Sequence, residues 1–200
     1  MRSSLIIVGF FIVGSLLGYF GVVPASILEG DISFYALGAL MFCVGVSLGS
    51  DPETLKSFTK INPRLLLLPL LTIVGTLAGA AIVGMLLPNS SVIDSMAVGS
   101  GLGYYSLSSI FITEFKGAEL GTIALLSNIS REILALLLAP VLVKYFGKLA
   151  PIAAGGATTM DTTLPIIMKF SGKEYMVLSV FHGFVTDLSV PFLVTLFCSI

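Results

Sequence analysis

Apolar residues come in long runs separated by short polar breaks. Segments 5–23, 32–48, 65–87, 117–146 and 175–199 are apolar for most of their length. At about 1.5 Å of rise per residue, such runs as helices can cross a hydrocarbon core about 30 Å thick, the shorter ones with help from flanking residues. The links are brief and polar. Glu29 and Asp31 lie in the first, and Lys56, Lys60 and Arg64 lie in the longest, 51–64. The first run, with a small-residue site near Ala25, has some of the look of a signal peptide. It is long for that purpose, so the pattern predicts a retained first span.

Two further segments break the rule. Segment 91–114 contains Gly99, Gly101 and Gly103, and segment 150–170 contains Gly155 and Gly156 between Pro151 and Pro165. Such clusters interrupt helices. Broken backbone is tolerated at membrane depth only where protein or a water-filled cavity satisfies it, and paired broken segments point to a transporter site. Each segment reads either as a re-entrant hairpin or as one broken span.

The positive-inside rule favours hairpins. With two of them, Arg2, Lys56, Lys60, Arg64, Lys144, Lys148, Lys169 and Lys173 fall on the cytoplasmic side and only Lys116 outside. With two full crossings, Lys144 and Lys148 move out and Lys116 moves in. The expectation is therefore an all-α polytopic membrane protein, with about five transmembrane helices and two opposed Gly-rich interrupted segments. Residues 1–200 would form a single transporter domain in the cytoplasmic membrane, amino terminus inside and carboxyl terminus outside.

Composition agrees. Only 10% of residues are charged, against about 25% in soluble domains, and mean hydropathy is +1.07. A net charge of −1 leaves no basic footprint for nucleic acid. Cys43 and Cys198 have no metal-ligand spacing and read as free thiols, so neither metal nor cofactor is expected. Gly14/Gly18, Gly45/Gly49 and Gly75/Gly79 give each of the first three spans a GxxxG pair, read as helix-packing surfaces. No HExxH, P-loop or GxGxxG pattern supports an enzyme.

The chemistry gathers at Ser127-Asn128-Ile129-Ser130-Arg131-Glu132, midway in run 117–146. A carboxylate at that depth costs roughly 2.5–3.5 kcal/mol on insertion scales, so Glu132 needs a partner or a wet cavity. Gly121, Ala124, Asn128, Glu132, Ala135 and Ala139 recur at three and four residues, making one small, polar face, while Leu126, Ile129, Ile133 and Leu137 point elsewhere. The plain structural reading is a helix contact with Arg131 and Glu132 paired. The functional one is a transport pathway.

Asp161 lies in the second broken segment and Asp187 on the last span, beside a face of Ser179, His182, Thr186 and Ser189. His182 and Asp187 are candidate proton-relay groups. Three acids against one base favour a cation. Glu132 and Asp161 can converge on an ammonium group or alternate between proton and cation. Ser106, Ser108, Thr158 and Thr159, with the half-helix amino termini, offer donors to a carboxylate. Opposite charges on one small molecule suggest a basic amino acid. An intramembrane enzyme using Glu132 and Asp161 as an acid pair is the competing reading.

Ser100–Ser108, Thr113-Glu114, Ser127–Glu132, Gly156–Pro165 and His182-Gly183-Phe184, in this order, resemble the bacterial lysine exporter family of the LysO type. The resemblance covers about 92–200, and 42–48 more weakly. It implies export of L-lysine and its thia-analogue across the cytoplasmic membrane, with two essential intramembrane acids falling on Glu132 and Asp161. Asp187 has no family counterpart in it. Family chains carry further spans ahead of this region. The expected partners are thus L-lysine, protons or another coupling cation, membrane lipid, and either a small membrane protein supplying those spans or a second copy of this chain. The alternatives are a subunit without transport of its own and an exporter of another cationic amino acid.

Overall fold

A computed structural model describes residues 63–88 and 90–200, with scattered positions before them (Val13, Leu16, Leu17, Tyr19, Phe20, Tyr35, Phe42 and Val46). Expected spans 5–23 and 32–48, Cys43, and the pairs Gly14/Gly18 and Gly45/Gly49 lie outside the described residues. The chain divides into two compact units, 1–51 and 52–200, and the second carries the elements below.

A 3-10 turn, Pro63–Leu67, leads into α1, Leu68–Leu86. Pro69 sits in its first turn, where a missing N–H costs nothing. After Pro88, Ser91 caps α2, Val92–Gly99, by accepting a hydrogen bond from the Ile93 amide, and Asp94 lies in the first turn, where a negative charge suits the helix dipole. α3 is Tyr105–Lys116 and α4 is Ala118–Phe146, separated only by Gly117 at φ 92°. α5, Ala150–Gly155, runs into a 3-10 turn, Gly156–Met160, and α6, Leu164–Phe170, follows. The 3-10 turn Lys173–Tyr175 opens α7, Met176–Cys198. Among the described residues there is no strand. Leu65–Leu86, Ala118–Phe146 and Lys173–Cys198 are long and apolar enough to cross a membrane.

Both interrupted segments are hairpins. Lys116 Nζ lies 3.5 Å from Asp94 Oδ1, which brings the end of α3 beside the start of α2. Lys148 Nζ lies 3.2 Å from Glu174 Oε1, which closes the second segment at its base. The hairpins enter from opposite ends. Ile152, Ile167 and Leu178 cluster with Leu65, Leu68, Leu149 and Tyr175, which ties the second hairpin's base to the starts of α1 and α7. Cys198, at the far end of α7, is within electrostatic reach of Asp94 and Lys116.

A topological test follows. In a variant lacking Cys43 and Cys198, single cysteines at Lys148 and Lys173 should react with impermeant thiol reagents from one side of the membrane, and a cysteine at Lys116 from the other. Labelling of 148 and 173 from opposite sides would mean a full crossing.

α7 is the central helix, with Ser179, His182, Gly183, Thr186, Asp187 and Val190 among its buried residues. Its polar face points inward. α4 buries Gly121, Ala124, Asn128, Ala135 and Ala139, the small face expected, while Leu126, Ile133 and Leu137 are exposed, an apolar surface that lipid would cover.

The close contact between α1 and α2 lies at another glycine than the α1 GxxxG pair. Among the described residues, a Cβ at Gly75 or Gly79 would meet nothing within 4 Å, whereas one at Gly84 would stand 2.9 Å from the Val92 Cα. The close α1–α2 contact therefore uses Gly84, not the GxxxG pair.

Candidate functional site

The tips of the two hairpins meet. Between α2 and α3, Leu102 and Gly103 adopt positive φ, 48° and 96°. The Ala157 amide donates to the Leu102 carbonyl at 2.9 Å. A Cβ on Gly156, itself at φ 65°, would lie 2.0 Å from that same carbonyl oxygen. The two glycine clusters thus allow two stretches of backbone to touch at mid-depth.

One turn of α4 holds both tips. Asn128, 3% exposed, accepts from the Gly103 amide at 2.8 Å and donates to the Val98 and Ala124 carbonyls at 3.2 and 2.9 Å. Arg131 Nε and Nη2 donate to the Ala154 and Ala153 carbonyls at 2.8 and 3.0 Å, and Nη1 to Thr76 Oγ1 at 3.2 Å. Those carbonyls lie at the carboxyl end of α5, the negative end of a half-helix. Arg131 therefore does not pair with Glu132, as the structural reading expected. Adjacent helical residues point about 100° apart and do not face one another.

Glu132 stands midway along α4, half-buried, and among the described residues none hydrogen-bonds or pairs with it. Asp161 follows the 3-10 turn of the second hairpin, is exposed, and accepts from the Thr162 amide. Asp187 lies midway along α7 and is 4% exposed.

The hydroxyls are mostly engaged internally. Ser108 is buried and donates to the Tyr104 carbonyl at 2.8 Å, while Ser106 is exposed. Thr158 donates to the Gly155 carbonyl at 3.0 Å. Thr159 Oγ1 lies 2.8 Å from the Gly156 carbonyl, 2.9 Å from the Ser179 carbonyl and 3.2 Å from His182 Nδ1. His182 Nε2 reaches Thr72 Oγ1 at 2.9 Å. Buried His182 thus has a hydroxyl at each ring nitrogen and joins α1, α7 and the second hairpin.

Thr72, Thr76 and Tyr104 were not singled out from the sequence. Threonines inside an apolar run carry no distinguishing signal until their partners are known. Tyr104 carried a fainter one, since it directly follows the glycine cluster.

Two cavities flank α4 on the α1 side. One of about 690 Å³ is lined by Thr72, Gly75, Thr76, Ser130 and Arg131, and one of about 750 Å³ by Ser90, Asp94, Ser95, Lys116 and Glu119. Ser127 lines both. Arg131 uses three of its five N–H donors on the hairpin and Thr76, which leaves two for the cavity it lines. Arg131→Lys should keep the charge and lose the fork. A single ammonium does not reproduce three donors fixed in one plane, so the expected result is a detergent-solubilised protein with a melting point lower by several degrees, read by thermal unfolding.

No solved structure matches the chain. A putative lysine exporter of Haemophilus influenzae is 35% identical over 167 residues, which make up 84% of each chain, so the two are of similar length. The lysine exporter LysO of Escherichia coli K12 is 32% identical over 195 residues, 98% of this chain but 64% of that protein. The chain thus spans somewhat less than two thirds of this relative's length. A family profile described as lysine exporter LysO matches residues 8–198, reaching well upstream of the motifs at 92–200. With nearly its whole length matched, the chain belongs to the LysO lysine exporter family.

Proposed function

We propose that this chain exports L-lysine across the cytoplasmic membrane, and that both units act as one transporter domain. The observation that carries the reading is the meeting of two opposed hairpin tips at mid-depth, tied by Asn128 and Arg131 on the turn of α4 that also bears Glu132. Broken helices that meet in this way are where transporters place their substrate.

In this reading Glu132 takes the side-chain ammonium, and the two remaining Arg131 donors take the α-carboxylate. Asn128, Ser108, Thr158 and Thr159 shape the site by holding backbone, and Ser106 lies on the outer face of α3. Uptake of protons balances the exported cation, and the thia-analogue follows the same path. The orientation is amino terminus inside. The two related proteins named for lysine export support a transporter rather than an enzyme.

The test is lysine counterflow in proteoliposomes containing the purified chain. Exchange that lysine, but not leucine or glutamate, competes away supports the reading. No exchange by folded protein, alone or with its native partner, removes it. Asp161→Asn should reduce net export to near background, with Asp161→Glu retaining part of it.

Among the described residues nothing lies within 4 Å of a Cβ at Gly75 or Gly79, and we assign that face to a separately encoded small membrane protein, with a second copy of this chain as the other occupant. Mass measurement of the gently extracted complex distinguishes them, and an active monomer rules both out.

A further inference from the structure

His182 lies between two hydroxyls, and the protons available decide which way each bond runs. Thr159 Oγ1 is 2.8 Å from the Gly156 carbonyl, 2.9 Å from the Ser179 carbonyl and 3.2 Å from His182 Nδ1. A hydroxyl carries one proton, and a carbonyl only accepts. Giving that proton to Nδ1 would leave two carbonyl oxygens facing the hydroxyl oxygen with no proton between them. The Thr159 proton therefore goes to a carbonyl, and Nδ1 is the donor to Thr159. Across the ring, Nε2 lies 2.9 Å from Thr72 Oγ1, which has no other acceptor among the described residues. Thr72 thus donates to Nε2. Thr72, Thr159 and His182 are all buried, so bulk water does not compete for these bonds.

We propose that His182, held as the neutral Nδ1–H tautomer, is a positioning residue that fixes the tip of the second hairpin to α1 and α7. The bonds run in one direction, from Thr72 to His182 to Thr159, and the Thr159 hydroxyl ends on the Gly156 carbonyl of the tip or the Ser179 carbonyl of α7. The effect on export rests on the lysine-export reading; the tautomer does not. A buried ring with both nitrogens bonded is cheap to hold at this depth.

The turn held in this way is the one the site depends on. Thr159 belongs to the 3-10 turn Gly156–Met160, whose Ala157 amide makes the tip contact with Leu102. Just before it come Ala153 and Ala154, whose carbonyls receive Arg131. The tip thus has two anchors. The Arg131 guanidinium on α4 holds its incoming end, and a neutral ring on α7 holds the turn that follows. Both anchors also reach α1, at Thr76 and Thr72, one turn apart. Those two threonines and Arg131 line the same cavity of about 690 Å³. Gly183, next to His182, lets the turn lie directly on α7, since a Cβ there would stand 2.7 Å from the Met160 amide nitrogen and 2.9 Å from Thr159 Oγ1. Without the His182–Thr159 bond the turn is free to shift. It would carry the Arg131 acceptors with it, and so re-aim the two donors that Arg131 keeps for the cavity.

The experiment has two arms. His182 is the chain's one histidine, so nitrogen NMR of full-length protein labelled in histidine, purified on a tag without histidine, reads this ring alone. The wild type should carry one ring proton, on Nδ1. Thr159→Val keeps the shape and removes the acceptor, and should move that proton to Nε2. A wild-type ring protonated on Nε2, or on both nitrogens, overturns the assignment. The second arm is lysine efflux from cells at matched protein levels. His182→Asn places an amide where Nδ1 stands and keeps a donor for Thr159. His182→Gln reaches to where Nε2 stands and keeps only Thr72. His182→Asn should retain much of the parental export, whereas His182→Gln and Thr159→Val should each lose about tenfold or more, because a buried hydrogen bond is left unmade. Thr159→Ser should export like the parent. Equal export by His182→Asn and His182→Gln overturns the positioning role: both active marks the ring as filler, and both folded but inactive marks it as a titrating relay. If neither folds, Thr159→Ser and Thr159→Val decide, and equal export by those two overturns it. Absence of lysine efflux in the wild type removes the lysine reading, while the nitrogen spectrum still decides the tautomer.

Discussion

Glu132→Gln is expected to bring lysine export to background while leaving insertion and melting behaviour close to the parent. The substitution keeps side-chain volume and removes only the charge. Glu132 receives no hydrogen bond or ion pair among the described residues, so little of the fold depends on it. Its neighbours on the face, Asn128 and Ala135, are buried, and Asn128 already satisfies the backbone around it. The depth of the residue makes a structural carboxylate hard to account for, since insertion at a helix centre costs roughly 2.5–3.5 kcal/mol with nothing to offset it. In the proposed reading, a substrate ammonium is the group that offsets it. Efflux of preloaded lysine from cells expressing each form, normalised to membrane protein, measures the effect. Export near the parental rate by Glu132→Gln would leave only a packing role for the α4 face.

Much of this is legible in the sequence. Hydrophobic run lengths located the three described spans to within a few residues. Period 3.6 placed Gly121, Ala124, Asn128, Ala135 and Ala139 on the buried side of α4, because a long regular helix keeps its phase. The lysine tally favoured hairpins, and Lys116 and Lys148 do close their two bases.

What failed depended on phase or on partners. Ser106 and Ser108 were grouped as one hydroxyl-rich tip, but two residues along a helix are about 200° apart. Once α3 begins at Tyr105, one faces in and the other out. The plain structural reading pairs Arg131 with Glu132, whereas its acceptors, the Ala153 and Ala154 carbonyls, are backbone groups that no side-chain pattern reveals. GxxxG spacing marks glycines able to pack closely. It does not say which surface a partner meets, and α2 meets Gly84 instead of Gly75 or Gly79.

Gly156→Ala is expected to disable the transporter almost completely by prising the hairpin tips apart. Two costs add. The backbone there has φ 65° and ψ −129°, a mirror-β conformation that L-residues rarely adopt and that costs on the order of 1–3 kcal/mol. The larger cost is contact, because the new Cβ would stand 2.0 Å from the Leu102 carbonyl oxygen. That atom is backbone and cannot swing aside as a flexible side chain does. Relief requires the tips to separate by more than an ångström, which breaks the Ala157-to-Leu102 hydrogen bond, worth about 1 kcal/mol with a further desolvation cost if either group stays buried unpaired. Gly117→Ala provides the control. Its φ of 92° is also left-handed, but a Cβ there meets nothing within 4 Å. It therefore carries the backbone strain without the collision and should keep most of its export. If Gly156→Ala loses transport and melts several degrees lower while Gly117→Ala does neither, the contact between tips is what matters. Equal losses in the two variants would trace the effect to left-handed backbone alone, and the meeting of the hairpins would no longer explain why this segment is rich in glycine.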